Sequence, residues 1–366
     1  MNGINLVGYA EAETGVGESC RLAARAMKAA DIPFSIVKVT RGNISRSEDQ
    51  SWSHHLISKP VYRTSVFHVN ADQMPVLHQL DPELWTSADY FIGYWHWELP
   101  EFPDFWLPSF KVVNEVWAPS IFVRDSLAPK SPVPVTLMPH GVQVDIPEQL
   151  KRSYFGLPDH TFLFLVMYDM LSFQERKNPA AAIEAFLRAF QPEDRSAALV
   201  IKINHADQSP DDMKRLLSKI NGRPNIHLLD RTLSRYEVNS LIMAVDSVVS
   251  LHRSEGFGLP LAEAMYLGKP VIATGWSGNM TFMNTGNSCP VNYKLVRVGR
   301  DYGPYKRHQI WAEPDIEHAA HYMRRLVSDR IWRRALAAKG RMAIHRDFSP
   351  EAAGLRMKKR LAALGR

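Results

Sequence analysis

The order of apolar segments along the chain is the feature that most limits its possible folds. Strand-like segments alternate with helix-like segments in two series, one beginning near Ile4 and the other near Thr161. This alternation predicts an α/β architecture with largely parallel sheets. The predicted strands are Ile4–Tyr9, Pro33–Val39, Ser65–Val69, Tyr90–Trp95, Glu115–Ala118, Val133–Met138, Thr161–Met167, Ala197–Ile203, Ile226–Leu229, Ser247–Leu251 and Pro270–Ala273. A helix is predicted at about Val16–Ala30, and helices again from Asp315 onward.

The segment His140–Pro158 separates the two series. It contains scattered proline and glycine with little periodicity, which is typical of a linker between domains. The chain of 366 residues is also too long for one ordinary core, since a domain commonly takes roughly 100–200 residues. We therefore predict two domains, residues 1–145 and 146–348, and expect a C-terminal helix at about 349–366 to pack back on the first.

The charge of the chain is unevenly distributed. The net charge is +6, but His321–Arg366 contains 13 Lys and Arg against 3 Asp and Glu, so the remainder is acidic. A basic C-terminal surface could contact anionic lipid head groups or a phosphorylated acceptor, or it could be a solvated helix surface. Nucleic acid is not expected as a partner, because no recognised motif accompanies the charge.

The sequence also carries information about the compartment. No apolar run approaches the roughly 20 residues that span a bilayer. Met1–Tyr9 leads directly into a strand-like segment without the basic region or cleavage site of a signal peptide. Cys20 and Cys289 are far apart and lack metal-ligand spacing. We expect a cytoplasmic protein, in which contact with the inner face of the membrane would use the basic C-terminal region.

The most informative stretch is Leu251–Met265, in which a glycine-containing loop joins a buried strand to an apolar helix. Pro260 is expected near the first helical position, where its missing N–H costs little. The amides of Phe257, Gly258 and Leu259 are then left pointing outward at the helix N-terminus. This arrangement predicts an anion site.

Two carboxylates flank this loop. Glu255 precedes it, and Glu263 follows eight positions later, in the expected first turn of the helix. The neighbours of Glu263 are apolar, so its carboxylate is predicted to be buried and to need a partner such as a ligand hydroxyl. Stabilisation of the helix dipole is the alternative explanation for an acidic residue at that position.

The residues from Glu255 to Glu263 resemble the signature of the family-four retaining glycosyltransferases of the GT-B fold: Glu, seven residues, then Glu, around Glu-Gly-Phe-Gly-Leu-Pro. The match has no gap, and the resemblance covers most of Phe162–Asn292. It implies two Rossmann-like domains facing across a cleft, with a nucleotide-sugar donor held by the second domain. It also implies that Glu263 binds the donor ribose, and that Glu255, Gly256 and the three following amides hold the sugar and diphosphate.

Two cations form a second candidate phosphate site. Arg176 and Lys177 are expected to precede a helix that begins with Asn178 as N-cap and Pro179 at its first position. Cations beside the positive end of a helix dipole repel one another unless an anion is present, and a diphosphate would satisfy both. The alternative is a pair of solvated loop cations. The resemblance implies that Lys177 neutralises the leaving diphosphate, although the family more often has a further arginine shortly after the preceding strand.

Three more residues are candidate donor contacts. Lys202 lies toward the end of a buried strand, and Asp230 and Arg231 follow another strand where family members contact the base. A structural ion pair is the alternative for each.

In the first domain, Gly15 and Gly17 join the first strand to the first helix and could let the backbone approach a phosphate or an acceptor hydroxyl. A tight turn explains them equally well, and the third glycine of a dinucleotide fingerprint is missing. His96 follows another buried strand, on the side shared with Tyr94. Family members often present a histidine there close to the reacting sugar, whereas a histidine satisfied by core contacts is the alternative.

The expected reaction needs no metal or other cofactor, because no Asp-x-Asp follows a strand and no His/Cys cluster has ligand spacing. Cationic and amide groups would stabilise the charge on the departing diphosphate. The resemblance implies that the acceptor hydroxyl attacks from the same face. The segment Gly275–Phe282 contains Ser-Gly-Asn-Met, which occurs in relatives that are often bacterial polysaccharide mannosyltransferases. The resemblance therefore favours GDP-mannose as donor and a glycan or lipid-linked saccharide as acceptor. Two alternatives stay open: a sugar-nucleotide epimerase of the same fold, and a catalytically silent subunit of a polysaccharide-assembly complex.

Overall fold

The computed structural model describes residues 3–42, 46–146, 148–170 and 172–366. The chain forms two compact units. The first contains Met1–Gln143 and His345–Arg366, and the second contains Val144–Ile344. The sequence-based boundaries were 145/146 and 348/349. Each unit is built on a parallel sheet with helices, which confirms the predicted α/β class of two Rossmann-like domains.

The sheet of the first unit has the order β3-β2-β1-β4-β5-β6-β7, and all its strands are parallel. Its strands are β1 (Ile4–Gly8), β2 (Phe34–Lys38), β3 (Leu56–Ile57), β4 (Thr64–His68), β5 (Tyr90–Tyr94), β6 (Glu115–Ala118) and β7 (Val135–Leu137). Its first helices are α1 (Gly15–Ala29), α2 (Met74–Leu80) and α3 (Ile121–Leu127). Strands β1 and β4 are buried along their whole length, as expected for central strands of a parallel sheet.

The second unit contains a six-stranded parallel sheet with the order β10-β9-β8-β11-β12-β13. Its strands are β8 (Phe162–Asp169), β9 (Ala197–Asn204), β10 (Ile226–Asp230), β11 (Ser247–Ser250), β12 (Val271–Thr274) and β13 (Cys289–Val291). An antiparallel hairpin, β14 (Tyr293–Arg297) and β15 (Ile310–Pro314), follows. The helices of the second unit are α4 (Gln174–Lys177), α5 (Pro179–Ala189), α6 (Pro210–Ile220), α7 (Arg235–Ala244), α8 (Leu259–Tyr266), α9 (Ile316–Ser328) and α10 (Arg330–Asp347). The last residues of α10, from His345 onward, belong to the first unit. Strand β13 and the hairpin were not predicted.

The last helix, α11 (Pro350–Ala363), packs against α1 of the first unit. Ala353, Met357 and Leu361 join the core that α1 and the sheet form. Gly354 lets the helices touch, since a Cβ there would lie 2.1 Å from the Ala26 carbonyl oxygen. None of the described helices combines the length and the apolar character needed to cross a bilayer.

Candidate active site

The loop between β11 and α8 joins a strand to a helix N-terminus, as predicted. Gly258 is the N-cap of α8 and has φ +87°, a left-handed conformation that a side chain rarely adopts. Pro260 lies in the first turn, as expected from its missing N–H. The loop therefore ends at a helix N-terminus at the carboxyl edge of the sheet, which is where doubly wound folds bind ligands.

Glu255 is held by the two predicted cations. Lys177 Nζ lies 2.6 Å from Glu255 Oε1, and Arg176 Nη1 lies 3.3 Å from Oε2. Arg176 also donates to the Ser254 carbonyl oxygen at 2.9 Å. The Glu255 side chain is only 13% exposed. The structure thus brings three predicted site residues into one compact cluster.

The charge state of Glu255 follows from this cluster. Burial alone would raise the pKa of its carboxyl group, but attraction to Lys177 and then to Arg176 outweighs burial and lowers the pKa to about 2. Glu255 is therefore an anion throughout the neutral range, available to accept hydrogen bonds.

The local structure around these cations differs from the prediction in two ways. Arg176 and Lys177 precede α5 as predicted, but they form the end of the short helix α4 and do not lie in a loop. Asn178 occupies the N-cap position of α5, but it has φ +50° and its side chain makes no capping hydrogen bond. The anion that balances the cations is the carboxylate of Glu255, so a bound diphosphate is not needed to explain the pair.

Glu263 lies in the second turn of α8, not in the predicted first turn, because the helix already begins at Leu259. Its exposed fraction is 2%. Its Oε1 accepts a hydrogen bond from Arg235 Nη2 on α7, and the Arg235 side chain is 34% exposed. The predicted ligand hydroxyl is therefore not the only available partner, and Arg235 is a candidate site residue that the sequence analysis missed.

The segment around Ser-Gly-Asn-Met fixes the Glu255 loop. Ser277 Oγ accepts from the Glu255 amide at 2.9 Å, and the Gly278 amide donates to the Glu255 carbonyl at 2.9 Å. A Cβ on Gly278 would lie 2.1 Å from the Gly256 carbonyl oxygen. Backbone packing against this loop explains the small residues that had suggested proximity to a ligand.

A small cavity of about 40 Å³ lies at this edge of the sheet. Its lining includes Lys177, Glu255, Gly258 and Pro260. The residues of the predicted anion site therefore line one cavity.

The other donor-contact candidates of the second unit lie in three settings. Lys202 is buried on β9 and donates to Asn204 Oδ1, and burial lowers its pKa to about 8. Asp230 ends the edge strand β10 and is exposed. Arg231 lies over the Tyr154 ring, 5.2 Å from its centroid, which gives it a packing role. Their donor contacts stay predictions.

Gly15 and Gly17 of the first unit differ in what their surroundings allow. Gly17 packs so closely that a Cβ would lie 2.1 Å from the Ala12 carbonyl oxygen, and its amide donates to the N-cap Thr14. A Cβ on Gly15 would meet no atom within 4 Å. The turn itself therefore requires glycine at position 17 but not at position 15.

His96 belongs to a stack of aromatic side chains in the first unit. Its Nε2 lies 3.3 Å from His140 Nε2, and its backbone amide donates to Asn70. Tyr94 lies between His140 and His68, with ring centroids 5.3 and 4.3 Å away. Burial lowers the pKa of His96 to about 4 and those of His68 and His140 well below the ordinary value. His96 is thus neutral at physiological pH, and its contact with a sugar stays a prediction.

The sequence contains the charges of these clusters but not their pairings. Arg235 and Glu263 are 28 positions apart, and Tyr94 and His140 are 46 apart. Among residues 3–42, 46–146, 148–170 and 172–366, no group of three or more His, Cys, Asp or Glu is arranged to hold a metal ion.

Comparisons with known proteins bear on the family and on the fold. The family model described as glycosyl transferases group 1 matches residues 164–342, just under half of the chain. A comparison with curated proteins gave no significant match.

Solved structures match over nearly the full length. HepE from Anabaena, solved with UDP and glucose, has a TM-score of 0.72 at 12% identity, covering 99% of this chain and 100% of that one. Sucrose-phosphate synthase from Thermosynechococcus elongatus has a TM-score of 0.73 at 16% identity, covering 100% and 99%. A glycosyltransferase from Rickettsia africae has a TM-score of 0.68 at 17% identity, covering 99% and 98%. At these identities the likeness establishes the fold. Residues 164–342 therefore match the group 1 glycosyltransferase family, and the whole chain has the GT-B fold of two Rossmann-like domains.

Proposed function

We propose that this protein is a retaining glycosyltransferase that transfers a hexose from a nucleotide sugar to a glycan or lipid-linked saccharide in surface polysaccharide synthesis. The main support is the arrangement of Glu255 and Glu263 on either side of a glycine loop at a helix N-terminus, with Lys177 and Arg176 beside Glu255. The match of residues 164–342 to the group 1 glycosyltransferases agrees with it.

The chemistry that these groups can supply is stabilisation of a leaving diphosphate. In the proposed reaction Lys177 and Arg176 turn from Glu255 to the phosphate oxygens, and the loop amides bind the same anion. Glu255 then accepts hydrogen bonds from the transferred sugar, and Glu263 from the ribose. The bond from the anomeric carbon to the diphosphate breaks, the acceptor oxygen bonds to that carbon on the same face, and the acceptor proton passes to the leaving phosphate.

We propose GDP-mannose as the donor, on the resemblance of the Ser277–Met280 segment to polysaccharide mannosyltransferases. UDP-glucose is the second donor candidate, because HepE has been solved in complex with it. A thermal-shift panel of GDP-mannose, UDP-glucose and ADP-glucose separates them, since a ligand that binds only the folded state raises the Tm.

Release of nucleoside diphosphate, measured with and without a saccharide acceptor, tests the activity. We expect Lys177→Ala to weaken binding of the nucleoside diphosphate, because it removes the cation 2.6 Å from Glu255. Arg300→Ala is the matched control, since Arg300 is an exposed cation paired with Glu175 on the same short helix as Lys177. The anomeric configuration of the product, read by NMR, tests retention.

Three results would contradict the proposal. An epimerised sugar nucleotide formed from donor alone would indicate an isomerase. Nucleotide binding without turnover on any acceptor would indicate a silent subunit. An equal effect of both substitutions would show that Lys177 is not at the phosphate site.

A further inference from the structure

Helix α10 exposes a face on which apolar residues lie between cations. Ile331 is 85% exposed and Met342 is 66% exposed. At 3.6 residues per turn these two side chains project within about 20° of each other, and the exposed Ala335 and Ala338 fall in the same narrow arc of about 60°. The opposite side of the helix, with Leu336, Gly340 and Ile344, is buried.

Cations lie on both sides of this apolar strip. Arg330, Arg334 and Arg341 project on one side, and Lys339 projects on the other. All four are exposed, and none of them forms an ion pair with another residue in the described parts of the chain. No acidic residue occurs from Arg330 to Arg346. The face therefore carries uncompensated positive charge around an apolar centre.

We propose that this face of α10 binds the surface of an anionic bilayer. An apolar strip flanked by Lys and Arg is the pattern of helices that lie in the interface plane, with the apolar side chains among the acyl chains and the cations at the head groups. Exposure of large side chains such as Ile331 and Met342 costs hydration free energy in water, and insertion at the interface removes that cost. The cations match the negative head groups within a Debye length of the surface.

A nucleic acid fits this face less well. A phosphate backbone would satisfy the cations, but it would leave the apolar strip in water, whereas a bilayer satisfies both. The contact also does not depend on the proposed transferase activity, because all its residues lie on α10. A protein held there would meet lipid-linked saccharides at the membrane, and only this consequence depends on the proposed function.

The test is co-sedimentation of the full chain, without donor, with vesicles of phosphatidylcholine alone or with about 30% phosphatidylglycerol. We expect binding to the anionic vesicles, weak binding to the neutral ones, and release as salt rises. Each Lys or Arg near such a surface contributes about 1 kcal/mol, roughly a factor of five. The triple variant Arg334→Gln, Lys339→Gln, Arg341→Gln should therefore partition roughly a hundredfold more weakly.

Matched controls separate this face from general charge. The triple variant Lys214→Gln, Arg215→Gln, Lys219→Gln removes the same charge from α6 and should change partitioning by less than about threefold, because those cations lie beside acidic residues. An equal effect of the two triple variants would overturn the proposal. So would equal binding of the unaltered protein to neutral and anionic vesicles, or no binding to either.

The apolar strip has its own test. Ile331→Ser with Met342→Ser keeps the charge and should weaken binding at least about tenfold, since burying one such side chain stabilises by roughly 1.5–3 kcal/mol. Leu217→Ser with Leu355→Ser changes two exposed apolar residues elsewhere and should have little effect. All four positions are exposed, so folding should be retained. Unchanged vesicle binding by the Ile331 and Met342 variant, together with equally tight binding to a DNA duplex, would overturn the proposal in favour of nucleic acid.

Discussion

Replacing Glu255 by Gln should strengthen the binding of a nucleoside diphosphate while it removes turnover. In the structure the carboxylate of Glu255 forms ion pairs with Lys177 and Arg176, at 2.6 and 3.3 Å. A donor diphosphate must either draw these cations away or share them with an anion. The substitution removes the competing charge and keeps a side chain of nearly the same shape.

The magnitude follows from the pKa of Glu255, which lies at about 2 against an ordinary 4.5. At 1.36 kcal/mol per pKa unit, the surroundings stabilise the ionised form of Glu255 by about 3 kcal/mol. This is a net value that already includes the opposing effect of burial. If half of that stabilisation is lost when the diphosphate binds, Glu255→Gln should bind about tenfold more tightly, since 1.4 kcal/mol is a factor of ten. If all of it is lost, the gain should exceed about a hundredfold.

Calorimetric titration with GDP and with UDP measures this effect. The variant should also have a lower Tm without ligand, because the buried Arg176 loses its counter-ion, and breaking such a pair commonly costs about 3–5 kcal/mol. Bound nucleotide should offset part of this decrease in Tm. Glu175→Gln is the control, since it also removes one negative charge close to Arg176 and Lys177, on helix α4. Glu175 pairs with Arg300 and not with either of these cations.

The outcome that refutes the reasoning is specific. Unchanged or weaker nucleotide affinity in Glu255→Gln would show that Lys177 and Arg176 do not exchange Glu255 for a diphosphate. A gain of the same size in Glu175→Gln would show that only the general charge matters. Absence of nucleotide binding by the unaltered protein would instead contradict the proposed function.

Three more predictions concern stability. Arg235→Gln should destabilise the chain by about 3 kcal/mol in urea unfolding, because it leaves the 2%-exposed Glu263 without its ion pair, and adding Glu263→Gln should recover most of the loss. The free energy of unfolding should fall as the pH drops from 6.5 to 4, and His96 should contribute at most about 3 kcal/mol of that fall. In this range the unfolded chain binds a proton at His96, whereas the native histidine, with its pKa near 4, does not. The His96→Gln variant should therefore show a shallower dependence of the unfolding free energy on pH. Gly17→Ala should lower the Tm whereas Gly15→Ala should not, because only the Cβ at position 17 would lie against a carbonyl oxygen. If Gly15→Ala keeps its Tm but loses activity, the loss would indicate a ligand contact at position 15.

Most strands of the two sheets could be predicted because a buried strand is recognisable from its own short segment of sequence. Strands such as Ile4–Gly8 and Ala197–Asn204 are buried almost throughout, so they appear as apolar runs between turn residues. The hairpin strand Tyr293–Arg297 was missed because most of it is exposed and it alternates weakly. A strand without a buried face leaves little trace in the hydropathy pattern.

The candidate site was predictable only in part. The start of a helix near Pro260 was predicted correctly because its signal is local, whereas the left-handed conformation of Gly258 was not predicted. Helix α8 begins one residue before the predicted Pro260, which places Glu263 in its second turn, and Arg235 could not be found because it lies on another helix. Sequence spacing gives the residues of one element, whereas a contact between two elements depends on how the sheet orders them.

Two cationic regions that look alike in the sequence differ in the structure, because in the part of the chain that the structure describes only one of them has a carboxylate from another element beside it. Arg176 and Lys177 suggested an external anion, yet Glu255, 78 positions along the chain from Lys177, already lies against them. Arg334 and Arg341 of α10 have no such partner among the described residues. A ligand at the first pair must therefore compete with a carboxylate at short range, which favours a diphosphate that can bind both cations. A ligand at α10 displaces only water and counter-ions, so binding there should weaken steeply with salt, whereas exchange at Glu255 should respond far less.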